Sequence, residues 1–268
     1  MKIADLGDLD GPLILFGGPY SNFHAFQALL QTAQSIGVSH SRIISTGDIV
    51  AYCADGASCV AAMRDAGIRT VAGNCEKQLA AGAVDCGCGF EEGTTCEALS
   101  VSWFGHAQQT IGVDLRHYIA ELPDRIIFQH AGARYAVIHG GASDIAKFLW
   151  PSTADDVFWA EIRLLEAQVG AVDHVIAGHC GMAFKKSLGP HTWINTGTIG
   201  LPPNDGRPST RYAILDDGTV TFHELDYDAA GAKTSMERAG LTQGYHNSLL
   251  TGFWPSEDIL PLEHRRAS

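Results

Sequence analysis

Four short segments set a carboxylate, an amide and two imidazoles beside glycine: GDIVAY with Asp48, GNCE with Asn74, IHGG with His139 and GHCG with His179. Two imidazole nitrogens, a carboxylate and an amide oxygen form a donor set suited to one borderline divalent ion such as Zn, Mn, Fe or Ni. Taken singly, each residue has a plainer reading. Asp48 after Gly47 could form a turn or cap a helix, and Asn74 after Gly73 could hold a left-handed turn. Either histidine could be a hydrogen-bonded core residue. Their joint occurrence is what points to metal chemistry.

Each of the four follows a short apolar run. Strands are expected over Pro12–Phe16, Arg42–Thr46, Arg69–Ala72, Arg125–Gln129, Tyr135–Ile138, His174–Ala177, Thr192–Asn195, Arg211–Leu215 and Thr219–Leu225. Behind an Asn22 cap, Phe23, Phe26, Leu29, Leu30, Ala33 and Ile36 recur at helical spacing. Further helices are expected over about Gly56–Ala66 and Ala154–Val169. The first half reads β-α-β-α-β and the second is richer in strand, a mixed α/β chain around one large core. Ligands of open α/β sheets collect outside the carboxyl ends of strands, so the four residues are expected at a single edge. After about Asp228 the periodicity fades, and WPSEDILPLEHRRAS reads as an extended tail on the surface or on a neighbour.

Composition narrows the partners. The 268 residues are 46% hydrophobic, enough for a sizeable core, and 18 basic against 30 acidic side chains leave a formal charge of −12. That balance argues against a nucleic-acid backbone, which is bound through Lys and Arg. A small phosphate ester remains compatible. No stretch approaches the roughly 18 apolar residues of a membrane span, and MKIADLGDLDG is too acidic for a signal peptide. Seven cysteines without an export signal read as reduced thiols of a cytoplasmic protein.

In their order, GDIVAY, GNCE, IHGG and GHCG resemble the motifs of the calcineurin-like metallophosphoesterases. INTGTIGLPPNDGRPSTRYAILD is similar to the segment that follows the last motif in small bacterial phosphodiesterase-type members. The resemblance runs from about Leu13 to Asp216. It implies an α/β fold, a four-layer α-β-β-α sandwich of two mixed β-sheets flanked by helices, with a dinuclear metal centre at one end. Residues 1–228 are then expected to form a single domain with an insert at about 77–123, and 229–268 a C-terminal extension that could support a homo-oligomer.

Carried over residue by residue, Asp48 matches the ligand that bridges both ions, and Asn74, His139 and His179 match the remaining ligands of one of them. The other ion is held in the family by an Asp-x-His motif after the first strand and by the second histidine of Gly-His-x-His. Those places fall on Gly18, Tyr20 and Gly181. Cys75 stands where the family has a histidine that assists the leaving group. A thiol near pKa 8.5 suits neutral pH less well than imidazole, by about two units. Cys75 could instead be a soft ligand or a small buried filler. The resemblance therefore implies a phosphodiesterase or phosphomonoesterase with one divalent transition ion and with Asp48 and Cys75 near the chemistry. The alternative is a catalytically inactive member with a ligand-binding or regulatory role.

Three further features carry expectations. In LFGGPYSN, Gly17, Gly18, Ser21 and Asn22 could cradle phosphate with N–H groups at a helix start. Cys86, Cys88 and Cys96, with Cys75, could form an irregular zinc site, or could be incidental thiols. His191, before TWIN, could approach the site from a neighbouring strand.

Overall fold

The run LILF is buried on both faces, and its alternation shows what lies on each. Leu13 and Leu15 point into a core shared with Ile126, Phe128, Val137 and Ile176, whereas Ile14 and Phe16 pack with Phe26 and Leu29. A strand covered on both sides needs no polar positions, hence the unbroken apolar run. The computed structural model describes residues 1–266. Its strands are β1 (Ile3–Asp8), β2 (Leu13–Phe16), β3 (Ile43–Ser45), β4 (Arg69–Thr70), β5 (Arg125–His130), β6 (Ala133–Val137), β7 (His174–Ala177), β8 (Ala183–Leu188), β9 (His191–Thr196), β10 (Thr210–Asp216) and β11 (Thr219–Leu225). The helices are α1 (Phe23–Ser35), α2 (Gly56–Asp65), α3 (Asn74–Ala81), α4 (Thr95–Thr110), α5 (Val113–Ala120), α6 (Asp155–Val169), α7 (Ala229–Arg238) and α8 (Tyr245–Thr251).

The strands form two mixed sheets, ordered β1-β5-β6-β7-β9-β8 and β11-β10-β2-β3-β4. One core lies between the sheets; a second joins the smaller sheet to α1–α5, α7 and α8, and a third joins the larger sheet to α6. Helices therefore cover both outer faces, giving the four-layer sandwich that the resemblance implies. Within each sheet the strands that matter are parallel: β2, β3 and β4 in one, β6, β7 and β9 in the other. The single edge expected from sequence is thus two edges, one from each sheet, meeting at one end of the sandwich.

Two strands escape the sequence patterns, and both are edges of the larger sheet. The residues of β1, IADLGD, are mostly exposed, and β8, AFKKSL, buries only Phe184 and Leu188 and carries two lysines between them. Polar, charged edge strands lack the apolar run that marks a buried one. Residues 229–251, where the periodicity fades, supply α7 and α8, burying Met236 and Leu249, whereas residues 254–266 hold only a short 3-10 turn at Leu262–His264. Helices this short owe their stability to the neighbours they pack on, so little periodicity shows in the sequence.

The cysteines depart from the all-reduced expectation: Cys86 and Cys88 are bonded to each other, while Cys53, Cys59, Cys75, Cys96 and Cys180 are free and buried. No helix among the described residues is long and apolar enough to cross a membrane.

Candidate metal centre

The ends of β3 and β4 deliver Asp48 and Asn74 from one sheet; the ends of β6 and β7 deliver His139 and His179 from the other. Close approach of these ends depends on the glycine beside each ligand. A side chain on Gly73 would strike the Asp48 carboxylate, and one on Gly178 would strike the Thr46 hydroxyl. His139 Nε2 lies 3.0 Å from Asn74 Oδ1, 3.1 Å from His179 Nδ1 and 3.3 Å from Asp48 Oδ2. Such separations suit donors sharing one transition ion, whose bonds run about 2.0–2.2 Å.

The imidazole of His139 is fixed in tautomer. Its Nδ1–H donates to the Thr46 carbonyl at 2.6 Å, leaving Nε2 to face the other donors. An outer hydrogen bond of this kind orients a histidine ligand and raises its basicity. Asn74 is oriented in the same way, its amide donating to the Cys86 carbonyl at 2.9 Å so that Oδ1 faces inward. Electrostatics favour positive charge at the point of convergence. Burial alone would raise the Asp48 carboxyl, but the neighbouring His139 and then His179 hold it below the usual carboxylate range. Burial opposes charge on His139 too, yet Asp48 overrides it and raises the imidazole. Burial and the adjacent His139 push His179 down to about 3, so that it stays neutral and keeps a lone pair. The donor set, the fixed tautomer and the pull on a cation all fit a bound divalent ion.

Glu76, unremarkable in the sequence, organises the first of these loops. Fully buried, it accepts the N–H groups of Asp48 and Gly73 at 2.8 Å and of Val50 at 3.0 Å. The only sequence signal is its place in the first turn of α3, where a carboxylate can reach back to the helix start. Backbone strain also gathers here. Tyr20, Ser21, Asp48, Tyr52 and His179 all have left-handed φ values between 46° and 64°. Each costs about 1 kcal/mol or more, a burden found mostly at functional sites.

Other expected residues lie differently. The N–H groups of Tyr20, Ser21 and Asn22 already donate to Asp48, Ile49 and Pro19 carbonyls, and the Asn22 side chain caps α1. The loop around Gly17 and Gly18 therefore does not present Ser21 and Asn22 as an anion cradle. Cys75 is fully buried, and burial followed by the charge of Asp48 raises its thiol well above the ordinary value. Its Sγ lies 4.0 Å from Cys88 Sγ, pointing to the insert. Cys96 lines an adjacent pocket instead, so the four thiols do not assemble a zinc site. His191 begins β9 at the amino end of the parallel strands and packs on Trp159, away from the carboxyl ends.

At the places where the resemblance expects ligands of another ion, aromatic rings lie instead. The Tyr20 ring occupies the space a side chain on Gly18 would need, and a Cβ on Gly181 would touch the Trp254 indole at 3.7 Å. Tyr20 packs edge-on to Tyr52, which also meets Trp103 and Tyr245.

The chain matches the calcineurin-like phosphoesterase superfamily domain over residues 1–219. It is 23% identical over 253 residues to the uncharacterized protein MJ0912 of Methanocaldococcus jannaschii, covering 87% of this chain and 95% of that one. The crystal structure of a metallophosphoesterase from Sphaerobacter thermophilus is similar with a TM-score of 0.69 at 20% identity, covering 91% of this chain and 100% of that one. The hypothetical protein PH1004 of Pyrococcus horikoshii is similar with a TM-score of 0.73 at 14% identity, covering 90% and 98%. By a match that spans both sheets and all four candidate ligands, the chain belongs to the calcineurin-like phosphoesterase superfamily.

Proposed function

We propose that the protein hydrolyses a small phosphodiester or phosphomonoester with a single divalent transition ion held by Asp48, Asn74, His139 and His179. The observation that carries this reading is the convergence of those donors on His139 Nε2, whose tautomer Thr46 fixes. When bound, such an ion polarises a phosphoryl oxygen and lowers the pKa of water. Asp48, kept ionised by the two imidazoles, would balance part of such an ion's charge and could accept a proton from an attacking water. Asn74 and His139, oriented by their hydrogen bonds to the Cys86 and Thr46 carbonyls, would hold such an ion in place. Cys75, which stands where the resemblance expects a histidine that assists the leaving group, is buried with its thiol strongly raised and is a poor proton donor at neutral pH. The reading therefore favours esters with good leaving groups.

One observation favours the second reading, ligand binding without turnover: aromatic side chains, rather than donors, surround Gly18 and Gly181. Elemental analysis of protein purified without added metal, with turnover of bis(p-nitrophenyl) phosphate and p-nitrophenyl phosphate, separates the two. About one equivalent of metal and turnover lost in His139→Ala support hydrolysis. One equivalent without turnover supports binding alone. Absence of bound metal, even after incubation with Mn(II) or Zn(II), overturns both the ion and the hydrolytic reading.

A further inference from the structure

At the end of the sandwich away from the candidate metal centre, a cleft of about 190 Å³ opens between the two sheets. Pairing registers set Tyr135, His174, Thr192 and Ser187 side by side across β6, β7, β9 and β8, and Lys185 lies in the next row beside Ile194. Alternate residues of a strand share a face. Tyr135 and Ile194 belong to the core between the sheets, so His174, Thr192, Ser187 and Lys185 lie on that same inner face. The opposite wall, with Thr219, comes from the turn that joins β10 to β11. His174 begins β7 and His179 lies just past its other end, about 16 Å away at roughly 3.3 Å per residue.

An inner face that simply continued the core would be apolar here. Instead it carries donors without partners. Among the described residues, Lys2, Lys77, Lys147, Lys186 and Lys233 each pair with a carboxylate, and Lys185 is the one lysine that does not. The buried Nδ1 of His174 has no hydrogen-bond partner, and the hydroxyls of Ser187, Thr192 and Thr219 bond to no other described residue. No carboxylate lines the cleft. Asp173, next to His174 in the chain, accepts the Arg134 N–H at 2.8 Å, and Asp216 and Asp217 line a separate depression. A lysine pointing inward on an edge strand also discourages strand pairing. That role requires neither the three hydroxyls nor the imidazole grouped around it.

We propose that this cleft binds a tetrahedral oxyanion of phosphate size, as free orthophosphate or as the phosphate group of a small phosphorylated molecule, with Lys185 as its counter-charge. The lysine ammonium acts as a point charge with three donors. The hydroxyls of β8, β9 and the facing turn surround the ion from two walls. Donors on two walls match an ion with acceptors on every side, whereas a flat carboxylate presents its acceptors in one plane. The cleft has room for several waters at about 30 Å³ each, so an ester substituent can extend from it toward solvent. The assignment is independent of any ion at Asp48, His139 and His179.

The test is equilibrium dialysis of the full chain with radiolabelled orthophosphate in EDTA, which keeps metal-held phosphate out of the measurement. Saturable binding is expected, displaced by glycerol 1-phosphate and by sulfate, and about ten-fold less well by acetate, which forgoes one or two hydrogen bonds. Lys185→Ala should weaken binding by about ten-fold or more, and Ser187→Ala by about three-fold. Lys185→Arg should retain it, with matched melting curves showing that the variants fold. A second measurement needs no variant: phosphate should protect Lys185 from acetylation, mapped by peptide mass spectrometry, and leave Lys186, paired with Asp155, unchanged. Tighter binding of glycerol 1-phosphate than of orthophosphate assigns the site to a phosphorylated molecule, and the reverse to the free ion. Absence of saturable binding, binding untouched by Lys185→Ala, equal displacement by acetate, or acetylation of Lys185 indifferent to phosphate overturns the proposal.

Discussion

The two sides of the site are built from opposite materials on the same scaffold. On one side, Asp48, Asn74 and His179 bring polar atoms within 3.0–3.3 Å of His139 Nε2, with His139 and Asn74 oriented by hydrogen bonds from behind. On the other side, Tyr20 and Trp254 lie over Gly18 and Gly181, and the contacts are between rings. The polar side can exist only because its buried donors have partners or would share an ion; unpaired, they would be costly. The aromatic side carries no such requirement and gains from area and stacking. One fold can therefore set a buried polar cluster beside an aromatic core, with glycine at the boundary between them.

Removing the support of the polar side should have the largest effect. Glu76→Ala strands the N–H groups of Asp48, Val50 and Gly73 in the interior, and a loss of about 4 kcal/mol is expected, read by urea unfolding. The same residue sets a pH dependence. Burial, then the charge of Asp48, pushes Glu76 from 4.5 up to about 7 in the metal-free protein. The folded state then holds a proton that the unfolded chain releases earlier. Its contribution to stability is complete below pH 4.5 and fades as pH rises through 7. Because His179, held down to about 3, gives the opposite slope over much of that window, the Glu76 contribution is read as the difference in unfolding free energy between wild type and Glu76→Gln, which should change with pH between 4.5 and 7; a pH-independent difference would contradict the assignment.

Forcing a carboxylate onto the aromatic side is the next test. Gly18→Asp would collide with the Tyr20 ring and the Asp48 carbonyl, and a loss of about 3 kcal/mol is expected from overpacking. Combining it with Tyr20→His should recover part of that loss. If Gly18→Asp is tolerated alone, the aromatic side is looser than its packing implies. Binding of an ion to the polar side should stabilise by about 2.7 kcal/mol at a hundred times its Kd. Thermal melts with and without Mn(II) measure this, and His179→Ala should remove the increment. The smallest effect is expected of Cys75→Ala, a loss of about 1 kcal/mol for one small buried group, with metal content unchanged. A loss of metal on this substitution would make Cys75 a ligand.

Much of this was open to sequence reading, for a local reason. A strand buried on both faces must be apolar throughout, so LILF and HVIA declare themselves, and the glycine-flanked residues after such runs mark strand ends. Glu76 and Tyr20 were not legible in the same way. The role of Glu76 depends on N–H groups from a loop on another strand, and that of Tyr20 on a neighbour at Gly18 that it covers by a left-handed turn. Edge strands β1 and β8 hid behind their polar residues, and helices α7 and α8 were too short to display a period.

The amino-acid sequence by itself determined which donors exist, in what order they follow the strands, and that Gly18, Tyr20 and Gly181 stand at the neighbouring positions. Those are properties of residue type and local spacing. The tertiary structure decided that the donors meet across two sheets, and that a C-terminal tryptophan reaches back over Gly181 to complete an aromatic wall. Convergence and coverage depend on long-range packing of sheet on sheet and tail on loop, which no local pattern encodes.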